Sequence, residues 1–253
     1  YKGDEKMAKI SLQLYSVKDA TEKDFMKTLE DVKKMGYDGV EFAGFFGCSA
    51  KEVKEKLDAI GLEVSGAHVG IDELRNNIDE VIEYHKAIGN KYIIVPYAEV
   101  DKKEDAQRLN EEFKGFSKKL SENGMYFGYH NHAHEMKMFD GEYAFDIMME
   151  GDNDMIYEVD TFWTEYAGVD TAEYLKKLAG RCPLVHLKDM DAKTRESTVY
   201  GTGILDNEKI IKAALDYCKP EWLVIEWENF KSGNCLKAVE DSIVNLKKYL
   251  QEI

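Results

Sequence analysis

Four short apolar runs in this 253-residue chain end in side chains that bind hard cations or move protons. They are Tyr126-Phe127-Gly128-Tyr129-His130-Asn131-His132, Ile156-Tyr157-Glu158-Val159-Asp160, Leu184-Val185-His186-Leu187-Lys188-Asp189 and Leu223-Val224-Ile225-Glu226-Trp227-Glu228. Side chains alternate along a strand, so His130 shares a face with His132, Glu158 with Asp160, His186 with Lys188, and Glu226 with Glu228. Any one pair could be a hydrogen-bonded core group or a salt bridge. Four pairs converging would bury too many carboxylates without a cation to balance them. Histidine, aspartate and glutamate suit one divalent ion, and these residue types do not choose among Mn²⁺, Mg²⁺, Co²⁺ and Zn²⁺.

Such convergence needs parallel strands that deliver their C-terminal ends to one face. The sequence alternates strand-like and helix-like segments eight times, with strand cores expected at 10–17, 39–43, 63–68, 92–97, 126–132, 156–160, 184–188 and 223–228. Helix starts are expected where a capping oxygen precedes an acid by three residues, at Thr21-x-x-Asp24, Ser49-x-x-Glu52 and Asp170-x-x-Glu173. Gly36, Gly61, Gly89, Gly124 and Gly180 stand where a left-handed cap would end a helix. Apolar residues recur every three or four positions in Leu57-Ile60, in Leu74-Ile78-Val81-Ile82 and in Leu236-Val239-Ile243-Leu246-Leu250, the stripe that packs a helix on a barrel wall. The expected fold is α/β, a single-domain (β/α)8 TIM barrel over residues 7–253. Residues 1–6 read as a tag remnant or disordered N-terminus ahead of Met7. A doubly wound open sheet would bring a glycine-rich phosphate turn after its first strand, and Tyr15-Ser16-Val17-Lys18-Asp19 is no such turn.

Composition narrows the function. Apolar residues make up 44% and charged residues 33%, as in ordinary globular proteins, and no apolar run approaches the roughly 18 residues of a membrane span. A formal charge of −15 opposes nucleic acid as a partner. Cys48, Cys182, Cys218 and Cys235 are far apart and suggest neither zinc knuckle nor disulfide framework, so a reducing cytoplasm fits. Oligomeric state is not legible.

Several other residues could serve a substrate. Phe45, Phe46, Tyr97, Trp163 and Trp227 follow strands where a sugar could lay its C–H face. His68 and Glu41 could hydrogen-bond a substrate hydroxyl. His85, inside a helix, reads as structural; His134 and Glu135 read as part of a lid or as solvated. Gly201-Thr202-Gly203 reads as a tight turn rather than a phosphate site.

Taken in order, Tyr129-His130-Asn131-His132, Val159-Asp160-Thr161-Phe162-Trp163, Ala167-Gly168-Val169-Asp170, His186-Leu187-Lys188-Asp189, Gly201-Thr202-Gly203-Ile204-Leu205-Asp206 and Ile225-Glu226 resemble the xylose-isomerase-like barrel superfamily of sugar isomerases and epimerases, in its Tyr-His-Asn-His branch. The superfamily also includes endonuclease IV. Its epimerases hold one divalent ion with Glu, Asp, His and Glu after strands five to eight. The resemblance implies Asp160, His186 and Glu226 for the last three, whereas the strand-five position carries histidine, His130 or His132. The substitution removes one of the two carboxylates that exchange protons in ketose epimerases. The endonuclease reading needs further ligands, where this chain has Trp163 and Arg195-Glu196-Ser197.

The implied reaction is metal-dependent isomerisation or epimerisation of a sugar through an enediolate, with Glu226 as base, Glu158 and Glu228 as substitutes, Lys188 stabilising developing oxyanion charge and His132 as the opposite acid. Trp163, Glu228, Phe46, His68 and Glu41 would contact substrate. A lyase or hydratase on a keto-sugar, keto-glycoside or keto-inositol is the alternative, because elimination needs one base and one acid rather than two symmetric carboxylates. A non-catalytic sugar-binding barrel would show an incomplete ligand set.

Overall fold

The chain was analysed as a computed structural model, described for residues 8–151 and 154–252; the segment 1–6 lies outside the described residues. Eight parallel strands close a barrel: β1 Lys9–Gln13, β2 Gly39–Phe42, β3 Glu63–His68, β4 Tyr92–Val95, β5 Tyr126–His130, β6 Met155–Asp160, β7 Leu184–Leu187 and β8 Trp222–Ile225. Each pairs with its neighbours in sequence, and closure comes from β1 against β8, with Ile10 opposite Leu223. The expected eight-stranded single-domain barrel is the observed one.

Alternation along these strands builds both the plug of the barrel and the site above it. Tyr92, Ile94, Ile156, Leu184, Trp222 and Val224 form one buried apolar cluster. Two residues further along, the same parity reaches Glu158, His186 and Glu226. Glycine opposite these large side chains makes the room: a Cβ on Gly39 would come 2.8 Å from the Trp222 ring, and one on Gly128 within 2.5 Å of Ile94. Large and small residues thus interdigitate at interior packing density.

The other parity faces the helices. Strand residues such as Val40, Phe127 and Val159 join helix residues such as Leu29, Leu74 and Ile243 in one continuous core. Val81 and Ile82 of helix Ile71–Ile88, and Val239 and Leu246 of helix Cys235–Glu252, are buried on the expected stripes. Ser49 and Glu52 form a full capping box, and Asp170 caps its helix through the Glu173 amide. The third start differs. Asp24 caps helix Phe25–Met35 by accepting from the Lys27 amide, while Thr21 lies inside the preceding helix, Lys18–Lys23, and donates back to the Lys18 carbonyl. All five glycines expected at helix ends have positive φ.

Most strands stop short of their expected ends. β1 ends at Gln13 because its amide oxygen accepts from the Tyr15 amide at 3.0 Å and turns 14–17 into a 3₁₀ helix. β5 ends at His130 and β8 at Ile225, so His132, Glu226 and Glu228 stand on loops at the C-terminal mouth. Among the described residues no helix is long and apolar enough to cross a membrane.

Candidate active site

The mouth is organised by buried ion pairs in two levels. In the lower level, His186 of β7 lies between carboxylates: Nδ1 is 3.0 Å from Glu226 Oε2, and Nε2 is 2.6 Å from Glu41 Oε2 and 3.2 Å from Glu158 Oε2. His68 at the end of β3 adds Nε2 at 2.7 Å from Glu158 Oε2 and 3.3 Å from Glu41 Oε2. Gln13 donates to Glu41 Oε2 at 2.8 Å. Room for Glu41 depends on Gly66, where a Cβ would lie 2.8 Å from Glu41 Oε1.

In the upper level, Lys188 gathers three carboxylates. Its Nζ is 3.2 Å from Asp160 Oδ2, 3.0 Å from Glu226 Oε2 and 2.6 Å from Glu228 Oε2. Asp160 has divided duties: Oδ1 accepts from the Trp163 amide at 2.9 Å and starts helix Thr161–Tyr166, while Oδ2 is buried and faces the Lys188 ammonium. Asn131 fixes the same strand end by accepting from the Asp160 amide at 3.0 Å.

These contacts set the charges. Burial, then Glu158, pushes Glu41 up to about 7. Burial opposes the charge on Glu158 too, but His186 and His68 outweigh it and hold that carboxyl well below its ordinary range. The buried pair therefore divides its ionisation unequally. Burial raises Asp160 to about 6 against the pull of Lys188. For Glu226, Lys188 and His186 overcome burial and hold it well below the ordinary carboxylate value. Burial, then Lys188, lowers His132 to about 4, so its imidazole is neutral at pH 7. That state suits a proton acceptor or a neutral hydrogen-bond donor better than the acid expected of it.

The arrangement fits a cation. His130, Asp160, His186 and Glu226 each offer one ligand atom, all within 4.8 Å of one another, and His68, His130, Glu158 and His186 form a second such group. Glu41 Oε1 and Glu158 Oε1 are buried with no hydrogen-bond partner, and Asp160 Oδ2 has only the Lys188 ammonium, at 3.2 Å. Orphaned acceptors of this kind are costly unless a cation or water satisfies them. The buried His/Asp/Glu cluster can hold a divalent metal. His130 belongs to both groups and His132 to neither.

Above the cluster lies a cavity of about 390 Å³ lined by Tyr15, His68, Tyr97, His130, His132, Glu226 and Glu228, with Ala43 and Pro96. Glu41 and Glu158 do not line it and are fully buried. They support His68 and His186 from below rather than facing a substrate. Trp163 lies beside His132, ring centroids 5.3 Å apart, and lines an adjoining cavity. Of the other aromatic residues expected at the mouth, Tyr97 lines the first cavity, but Phe45 packs on Phe42 and Tyr84, Phe46 packs on Phe25 and lines neither cavity, and Trp227 is buried. Phe45 and Trp227 serve the core, whereas Phe46 is 46% exposed and lies outside both cavities.

Other expectations resolve by burial. His85 is structural, its Nδ1 3.0 Å from the Asn90 side-chain amide. Glu135 is not solvated: it accepts from Tyr129 Oη at 2.6 Å and from the His132 amide at 2.8 Å. The Gly201 and Gly203 amides both donate to Asp189 Oδ2, so the glycine turn is tied to β7's own loop. Sequence reasoning missed Gln13, Gly66 and Tyr15; an amide at the end of β1 and a glycine inside β3 were the available signals.

No curated protein sequence matches the chain. Among solved structures, a sugar phosphate isomerase/epimerase from Parabacteroides distasonis ATCC 8503 superposes with a TM-score of 0.82 at 23% identity, covering 97% of this chain and 96% of that one. An L-ribulose 3-epimerase superposes at 0.75 with 12% identity over 97% and 95% of the two chains. The IOLI protein with a binding zinc atom gives 0.73 at 14% identity over 96% and 98%. At these identities the likeness is one of fold. The profile of the xylose isomerase-like TIM barrel family matches residues 29–250, which span β2 to β8 and every cluster residue except Gln13, and the chain belongs to that family.

Proposed function

We propose that the protein is a divalent-metal-dependent sugar isomerase or epimerase that abstracts a proton next to a carbonyl. The observation that carries this reading is the placement of Glu226: its carboxylate lines the cavity, lies 3.0 Å from Lys188 Nζ and belongs to a four-residue cation set. His130, Asp160, His186 and Glu226 would hold the ion, and the family relatives named as epimerases, together with the zinc of the IOLI protein, support a sugar substrate and a metal. Bound there, Mn²⁺, Mg²⁺, Co²⁺ or Zn²⁺ supplies Lewis acidity toward a substrate carbonyl.

The protein's own groups do the rest. Glu226 is ionised and weakly basic, so it accepts a proton only from a C–H already acidified by its neighbouring carbonyl. Lys188 is buried and lines neither cavity: it holds Glu226 and Glu228 in place, and the oxyanion role expected of it would reach a substrate only from behind those carboxylates. His68, backed by Glu158, presents its imidazole to a substrate hydroxyl, and neutral His132 lines the same cavity. Four free cysteines suit a reducing cytoplasm.

One observation favours the lyase or hydratase alternative. The strand-five position carries His130, and the remaining carboxylates that line the cavity, Glu226 and Glu228, are bridged by one lysine rather than set on opposite walls. C–H exchange in deuterated water, with the Mn²⁺-loaded protein and a panel of keto-sugars and keto-glycosides, separates the two: return of deuterium to the same skeleton marks isomerisation, loss of a β-substituent marks elimination. Glu226→Gln should abolish exchange with the fold intact. Unchanged exchange in that variant would move the base elsewhere, and no exchange by the wild type with any member of the panel would remove the enolisation reading.

A further inference from the structure

A second cavity of about 600 Å³ adjoins the first, and the two share Tyr15 and Glu228. Small-molecule sites run from about 300 to 1,000 Å³, so the inner cavity alone suffices for one small sugar and the outer one is surplus to it. Its walls are Tyr15, Phe162, Trp163, Tyr166 and Phe230, with Thr194, Arg195, Glu196 and Asn229 among its polar members. Tyr15 and Tyr166 remain 41% and 44% exposed. Aromatic faces beside hydroxyl, amide and charged groups match a pyranose, which has apolar C–H faces and a polar rim. We infer that this groove is a subsite for a second sugar ring, so that the substrate class is a disaccharide-like glycoside whose reacting ring sits in the inner cavity.

A phosphate would be the competing occupant, since Lys18, Arg195 and Lys231 line the same groove. Their placement argues against it. Lys18 Nζ sits 3.9 Å from the Phe230 ring centroid and 4.7 Å from that of Tyr15, the Arg195 guanidinium lies 5.0 Å from Tyr166, and Lys231 is 3.5 Å from Glu196. Cations spread over rings and paired to a carboxylate do not converge on one anion, and Glu196 and Glu228 would repel it. Instead they hold the aromatic walls in position.

The inference rests on the proposed sugar chemistry only for the identity of the reacting ring, and equilibrium binding tests it without turnover. The Mn²⁺-loaded full chain would be titrated calorimetrically with glucose, with cellobiose, maltose, sophorose and gentiobiose, and with glucose 6-phosphate. At least one disaccharide should bind about tenfold tighter than glucose, and Tyr166→Ala and Phe230→Ala should each weaken it by about three- to tenfold while leaving glucose unchanged. The subsite is overturned if no disaccharide exceeds glucose, if glucose 6-phosphate binds more tightly than every disaccharide, or if both variants weaken glucose as much as the disaccharide. Disaccharide binding through the groove, with no C–H exchange for any member of the keto-sugar and keto-glycoside panel, would reject the enolisation reading and leave the subsite standing.

Discussion

Glu41 Oε2 and His186 Nε2 meet at 2.6 Å across the inside of the barrel, from strands β2 and β7 that are not neighbours in the sheet. Both residues are fully buried, and the second ring nitrogen of His186 is held by Glu226. The imidazole is fixed at both ends, and Glu158, Glu41 and Glu226 outweigh burial to keep its proton affinity well above the ordinary value. Metal sites keep one ring nitrogen for the ion and hold the other with a carboxylate, so an ion bound at His186 would take the place of the proton on one of these two contacts while the other fixes ring direction and ligand basicity.

Metal affinity should therefore follow depth in the cluster. Asp160→Asn removes charge from a fully buried member of the four-residue cation set, whereas Glu228→Gln alters a half-buried group outside it that touches only Lys188 among the cluster residues. Calorimetric titration with Mn²⁺ should show a loss greater than about 100-fold for Asp160→Asn and a smaller one, within the roughly 10- to 100-fold range of outer partners, for Glu228→Gln. Equal losses would disprove the ligand assignment.

Gly66→Ala tests the space under the site. Its Cβ would meet Glu41 Oε1 at 2.8 Å and Leu184 Cδ2 at 3.3 Å, and Glu41 cannot retreat because its other oxygen is held by His186 and Gln13. Overpacking of this kind costs about 1–3 kcal/mol. Gly115→Ala is the control: it lies inside helix Lys103–Ser121 with nothing within 4 Å of its would-be Cβ, and should stabilise by about 0.5–1 kcal/mol. Urea unfolding of both variants reads the opposite signs.

What could be read in the sequence was what alternation controls. Parity along each strand placed His130, Glu158, His186 and Glu226 on the interior face, because a strand has one period and a barrel has one inside. The mouth aromatics were a different matter: Phe45, Phe46 and Trp227 have the composition of a sugar platform, yet Phe42 and Tyr84 claim Phe45, Trp227 is buried and Phe46 stays exposed outside both cavities, tertiary facts with no local signature. Gln13 was hidden for a similar reason, since its bond to Glu41 depends on which strand lies next door.

Glu135 illustrates the same limit and carries its own test. Its position beyond β5 reads as part of a lid or as solvated, but it joins Tyr129 Oη to the His132 amide and so aims the loop that bears His132. Glu135→Ala would orphan both donors, at about 1–3 kcal/mol each. Thermal unfolding should register the loss, and the His132 imidazole resonances should broaden or shift; an unchanged His132 environment would show that the loop is held by other contacts.

His85 supplies a pH dependence that lies away from the cluster. Burial lowers its imidazole to about 4, against about 6.5 in the unfolded chain. Between those values the unfolded state binds a proton that the folded state refuses, so the contribution is complete above about pH 6.5 and is lost as pH falls toward 4, by roughly 3 kcal/mol in all. Glu41, raised to about 7, acts with the opposite sign: the folded state takes its proton more readily, which favours folding as pH falls. Wild type alone would mix the two effects. His85→Gln keeps an acceptor for the Asn90 amide and does not titrate, so the stability difference between wild type and variant should shift by about 2–3 kcal/mol against the wild type between pH 7.5 and 4.5 in urea unfolding. A difference that stays constant across that window would mean that His85 is not held neutral by burial.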